Sequence, residues 1–168
     1  MIGRASFDRT RAYRYALTRR WSPGARSACF CLLNPSTADA RRNDPTVRRC
    51  IGYAMDWGFD ALEVVNIFAF RSTDPGALAQ HPDPVGPRND RAILRAVQRA
   101  ELVILGWGAH GRLLDRGGGV LRLIADHCRP HCFGITATGQ PRHPLYLARA
   151  AHPQPLSDEI LAEAMVCK

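Results

Sequence analysis

Two asparagines leave apolar runs in comparable places. Asn34 follows Ala28-Cys-Phe-Cys-Leu-Leu33, and Asn66 follows Leu62-Glu-Val-Val65. A carboxamide offers a donor and an acceptor together, as reading a nucleobase edge requires, although an asparagine so placed can equally cap a nearby loop backbone. In Gly139-Gln-Pro-Arg-His-Pro-Leu-Tyr146 a histidine, His143, stands among prolines. Prolines stiffen such a loop, so less entropy is lost in fixing the imidazole, which can then donate to charge developing on a leaving group. His152, in Ala151-His-Pro-Gln-Pro-Leu-Ser157, is the second candidate for that role. Asp39 and Asp44 are the carboxylates near the first exit. Either could polarise water or stabilise a cationic sugar, although Asp44 before Pro45 also reads as a helix N-cap. Phe68 and Phe70 are candidate stacking faces for a base, and Ser36 joins Asn66 as a base contact. Arg71, Arg142 and His110 are candidate phosphate contacts. Trp57 and Trp107 read as core aromatics, and Gly117-Gly-Gly119 as a flexible turn ahead of a helix that could also present N–H groups to a phosphate.

These side chains need a scaffold. A chain of 168 residues, 46% hydrophobic, has apolar material for a sizeable core and reads as one α/β domain over 1–168, its core about 12–147 and a loop-rich tail at 148–168. The formal net charge of +8 is almost all arginine, since Lys168 is the only lysine. Arginine's planar fork suits phosphate, so a nucleic acid (DNA first) or a nucleotide is the expected partner, with a coding bias toward arginine as the plain alternative. The six cysteines, 29, 31, 50, 128, 132 and 167, form no CxxC pair. His127-Cys128 and His131-Cys132 therefore read as small buried thiols beside histidines rather than a zinc box, and neither metal nor cofactor is expected. With no signal peptide or spanning run, the expected location is cytoplasmic, without membrane attachment.

Alternation over 11–21 suggests a half-buried strand near an edge, and 28–33 a buried one. Asp44-Pro45 opens a helix that Gly58 stops; a second buried strand runs over 62–70. Residues 71–87 read as a long loop, a length uncommon unless it has a use. A helix capped by Asn89 or Asp90 follows, then a strand at 102–105, a helix over 119–128, a fourth strand at 132–135 and a final helix from Asp158. This alternation predicts a three-layer α/β/α fold around a central, mostly parallel four-stranded sheet, with an N-terminal edge strand or hairpin. Ligands of such sheets sit outside the carboxyl ends of the strands, where Asn34, Asn66, Gly106-Trp-Gly-Ala-His110 and the 136–146 segment would meet.

The set LNPSTADA, RRNDPT, WGF, VVNIFAFRSTDP, VGPRND, GWGAHG and GQPRHPLYL resembles a bacterial and phage family, domain of unknown function 1643, over roughly residues 12–147. The order of strand-end motifs is also similar to the uracil-DNA glycosylase superfamily. There, Leu33-Asn-Pro-Ser36 corresponds to a motif that positions water or sugar, Val64-Val-Asn66 to an asparagine that reads the pyrimidine, and Leu105-Gly-Trp-Gly108 to a third segment. Either Arg142-His-Pro-Leu145 or His152-Pro-Gln-Pro-Leu-Ser157 corresponds to the histidine loop that stabilises the departing base; His143 is the favoured one. No Asp stands inside the first motif. The resemblance implies a uracil-DNA-glycosylase-like fold and hydrolysis of the N-glycosidic bond of a base in nucleic acid. The alternatives are a non-catalytic nucleotide or modified-base binder, and a hydrolase or transferase of free nucleosides or nucleotides.

Overall fold

The computed structural model describes residues 1–166; Cys167 and Lys168 lie outside the described residues. In chain order the elements are β1 Ile2–Phe7, β2 Arg14–Arg20, β3 Ser27–Leu32, α1 Pro45–Asp56, β4 Ala61–Asn66, α2 Ala77–Gln80, α3 Asn89–Arg99, β5 Leu102–Gly106, α4 Arg116–Ile124, β6 His131–Cys132, β7 Gln154–Pro155 and α5 Asp158–Val166. The fold is α/β, and the sheet is mixed and seven-stranded, in the order β1-β2-β4-β3-β5-β6-β7. That is larger than the four strands plus an edge hairpin expected. β4, β3, β5 and β6 pair in parallel, while β1-β2, β2-β4 and β6-β7 pair antiparallel.

The apolar run of β3 is buried on both faces, as a strand between two helix layers must be. Ala28, Phe30 and Leu32 join the core under α1, with Val47, Ile51 and Ala54. Cys29 and Cys31 point the other way, into the core built with Ile93 and Val97 of α3, Val120 and Ile124 of α4, and Ala164 of α5. Burial pushes the Cys31 thiol up to about 12, so these are unreactive thiols. α1 begins as its sequence dictates: Asp44 Oδ1 accepts from Val47 N at 2.8 Å with Pro45 in the first turn, and Gly58 (φ +76°) follows its end.

Several boundaries differ from expectation. β4 stops at Asn66, and the chain over 67–70 becomes irregular, although Ile67 N and Phe68 N still donate to the Leu32 and Leu33 carbonyls and Phe70 bridges Tyr13. α3 has no side-chain cap, because Asn89 is its first residue and its amide is used elsewhere. Gly117-Gly-Gly119 lies inside the first turns of α4, which runs 116–124 rather than 119–128. A side chain at Gly117 would come within 3.0 Å of the Trp107 indole nitrogen, so close packing, not phosphate, accounts for that glycine. The fourth strand shrinks to two residues, since Gly134 (φ +111°) turns the chain back toward Pro141. The expected loop-rich tail contributes β7, and Leu156 and Ala164 are buried in the core. No helix among the described residues is long and apolar enough to cross a membrane.

Candidate functional site

The carboxyl ends of β3 and β5 open on a crevice of about 600 Å³. Its walls come from four stretches: the 33–36 turn with Thr46; Ser72, Thr73 and Pro75; Trp107 to His110; and Thr136 with Arg142 to Leu147. Among the described residues, no acidic side chain lines it.

Asn34 is held from behind. Its Nδ2 donates to the carbonyls of Ser72, at 2.9 Å, and Pro35, at 3.1 Å. Ser72 N donates in return to the Pro35 carbonyl at 2.9 Å. Both amide hydrogens are thus engaged by the loop, which leaves Oδ1 as the group a ligand can use. The long 71–87 loop has a structural use here, because its first residues clasp the Asn34 turn.

His143 is fixed differently. It caps a short 3-10 turn, Pro144–Tyr146, and its Nδ1 accepts from Leu145 N at 3.3 Å. A ring whose Nδ1 accepts must, when neutral, carry its proton on Nε2. Burial pushes this imidazole below its ordinary value of 6.5, partly opposed by the Asp44 carboxylate, so the neutral form dominates near neutral pH. The ring therefore presents an uncharged N–H donor. Tyr146 tilts against it at 5.7 Å between centroids and is 83% exposed at the rim. Below them, Trp107 forms a buried floor with its indole N–H donating to Gln140 Oε1 at 2.8 Å. The exposed Arg142 and His110 complete the lining, and the Arg142 guanidinium has no bonding partner among the described residues.

Of the residues expected at the site, Asn34, Ser36, His110, Arg142 and His143 meet in this crevice. The others do not line it. Asn66 is 2% exposed, and its Oδ1 accepts from the buried Arg14 Nη2 at 3.2 Å. Its own carbonyl and that of Ile67 accept from Asn89 Nδ2 at 2.8 and 3.0 Å, so the base-reading role expected of Asn66 gives way to a structural one. Phe68 is fully buried in the core and offers no face to a base. Phe70 already stacks on His81 at 3.9 Å between centroids. Arg71 lies over the Phe7 ring and donates to the carbonyls of Arg11 and Ser36. Asp39 folds back on its own turn, accepting from the backbone of Arg41 and Arg42, which holds its carboxyl below the usual range. Asp44 is buried as the α1 cap, behind the crevice and close enough to bias His143. His152 is exposed beside Trp57, outside the lining, so of the two histidines expected to stabilise a leaving group it is His143 that faces the crevice.

Thr46, Thr73, Tyr146 and the buried Arg14 were not read from sequence as site residues. Thr46 and Thr73 carry no motif; Arg14 sits in an alternating strand where an arginine reads as solvent-facing. It is instead 2% exposed, donates to Ala38 O at 3.0 Å as well as to Asn66, and is lowered by burial to about 10. It remains charged and ties the first motif loop to β2. Among the described residues, no group of His, Cys, Asp and Glu side chains is placed to hold a metal ion.

Comparison with curated proteins and with solved structures gave no match. A family model does match, covering residues 14–145 and thus β2 through the His143 turn, and by this the chain belongs to the family described as a protein of unknown function, DUF1643.

Proposed function

We propose that the crevice holds a nucleotide unit, in DNA or another nucleic acid, and hydrolyses its N-glycosidic bond. One observation carries the reading: a neutral imidazole with its free N–H donor shares one crevice with an asparagine whose only free group is an acceptor. The C1′–N bond would break with its electron pair leaving on the base. The Nε2–H of His143 donates to that developing anion without itself carrying charge, a contribution of about 3 kcal/mol. Asn34 Oδ1 accepts a hydrogen bond from water aimed at C1′, and the proton lost by that water goes to solvent. Arg142 and His110 meet phosphate. The similarity of the strand-end motifs to those of uracil-DNA glycosylases supports the same assignment for Asn34 and His143. It does not extend to Asn66, which is engaged with Arg14.

The absence of a lining carboxylate among the described residues favours a second reading, in which the crevice binds a nucleotide or modified base without cleaving it. Oligonucleotides containing uracil, hypoxanthine or modified pyrimidines, incubated with the protein and then treated with alkali, separate the two. Strand breaks that fall about a hundredfold in His143→Ala, with binding retained, support hydrolysis. Binding with no abasic breaks supports the second reading, and no binding to any substrate removes both.

A further inference from the structure

We infer that a single-stranded nucleic acid leaving the crevice runs across the amino-terminal half of α1, in a second groove walled by Arg48, Arg49 and Arg149. This rests on the crevice being a nucleotide site. The groove, about 350 Å³, adjoins the crevice: Leu145 lines both, and Pro45 and Thr46, neighbours in the chain, line one each.

Its charge and shape both suit a sugar-phosphate strand. Among the described residues Arg48 donates to the Asn43 carbonyl, Arg49 lies 6.0 Å over the Tyr53 ring, and neither pairs with a carboxylate. Arg149 pairs with Asp56 at 3.3 Å, in an ion pair left largely exposed. Arg41 and Arg42, both exposed, stand on the loop entering the same helix end. Glycine inside a helix sacrifices stability, yet a Cβ at Gly52 would meet nothing within 4 Å, so no packing contact explains it. Its missing side chain keeps the groove floor open. The exposed Tyr146 ring lines the crevice next in the chain to Leu145, which both cavities share, and offers a face on which the neighbouring base stacks. Cations along a groove with aromatic faces at intervals are how proteins hold single strands without reading sequence.

The test compares thymidine monophosphate with a short oligothymidylate, each titrated over a salt series by fluorescence anisotropy or calorimetry. The oligonucleotide should bind at least about tenfold more tightly and lose affinity steeply with salt. Arg48→Ser with Arg49→Ser should weaken oligonucleotide binding about tenfold and flatten the log–log salt slope by about 0.7 for each phosphate no longer neutralised, leaving the mononucleotide unaffected. Gly52→Leu, which fills the floor without altering charge, should weaken the oligonucleotide as well. Variants that bind the oligonucleotide as the wild type does overturn the inference, as does an oligonucleotide held no more tightly than the mononucleotide. Displacement by polyglutamate at equal charge concentration would assign the groove to an acidic polypeptide and overturn it too. Oligonucleotide binding that depends on Arg48 and Arg49 without any mononucleotide binding would keep the groove and remove the crevice reading; no binding of either removes both.

Discussion

The carboxyl ends of β3 and β4 lie side by side, with Leu32 paired to Asn66, yet one opens on solvent and the other is sealed. At the β3 end, Asn34 is clasped by a loop, Ser72 and Pro35, and keeps an acceptor free at a crevice. At the β4 end, Asn66 meets Arg14 from β2 and Asn89 from α3, and both its side-chain oxygen and its carbonyl are used inside the protein. The residue type is the same, but Asn66 is the last residue of β4 whereas Asn34 stands two residues beyond the end of β3. The difference also comes from which third element arrives above it: β2 and α3 close over β4, while above β3 and β5 the chain supplies loops and two 3-10 segments, Ala109–Asp115 and Pro144–Tyr146. Residue type at a strand end thus proposes a site, and the covering elements decide whether it is one.

The widest separation between the two regions should appear in stability. Phe68→Ala removes a fully buried ring and should cost about 3–5 kcal/mol, whereas Tyr146→Ala, at the exposed rim, should stay within about 0.5 kcal/mol. Urea unfolding of the two variants checks this; equal losses would mean that the β4 exit is not the packed region described. The asparagines should differ less, but in the same sense. Asn66→Ala takes an acceptor from a buried guanidinium and should cost about 2–3 kcal/mol, while Asn34→Ala forfeits loop hydrogen bonds worth about 1 kcal/mol. The functional ranking should be reversed, with Asn34→Ala losing ligand binding or turnover, measured under conditions where both variants are folded. Full stability in Asn66→Ala would remove the structural role assigned to it.

Much of the layout was legible because hydrophobic period and turn residues act locally. The apolar run at 28–33, the Asp44-Pro45 start of α1 and the break at Gly58 all follow from that local chemistry, whereas the 71–87 stretch, read as a long loop, carries the short helix α2 at Ala77–Gln80. Legible too were the crevice's own side chains at 34, 36, 110, 142 and 143, which sit on exits from parallel strands. What sequence left hidden depends on long-range partners. β1 buries none of its residues fully and is defined by its pairing with β2. The burial of Arg14 needs Ala38 and Asn66, which come from two other segments. Phe68 and Phe70 are stacking faces only if the run 62–70 is one strand. Once β4 ends at Asn66, the chain becomes irregular and buries Phe68.

The most direct test concerns His143, whose neutral Nε2–H donor the whole functional account requires. A base whose folded-state value is depressed stays uncharged above its ordinary 6.5 and loses that state, with the Leu145 hydrogen bond, only as pH falls through the lowered value. Long-range proton–nitrogen NMR of the imidazole, recorded from neutral pH downward with and without thymidine monophosphate, reads tautomer, midpoint and ligand response together. The account predicts a proton on Nε2, a midpoint below 6.5 and a shifted Nε2 resonance on adding the nucleotide. A proton on Nδ1, or a midpoint at or above 6.5 with no response to nucleotide, would contradict it.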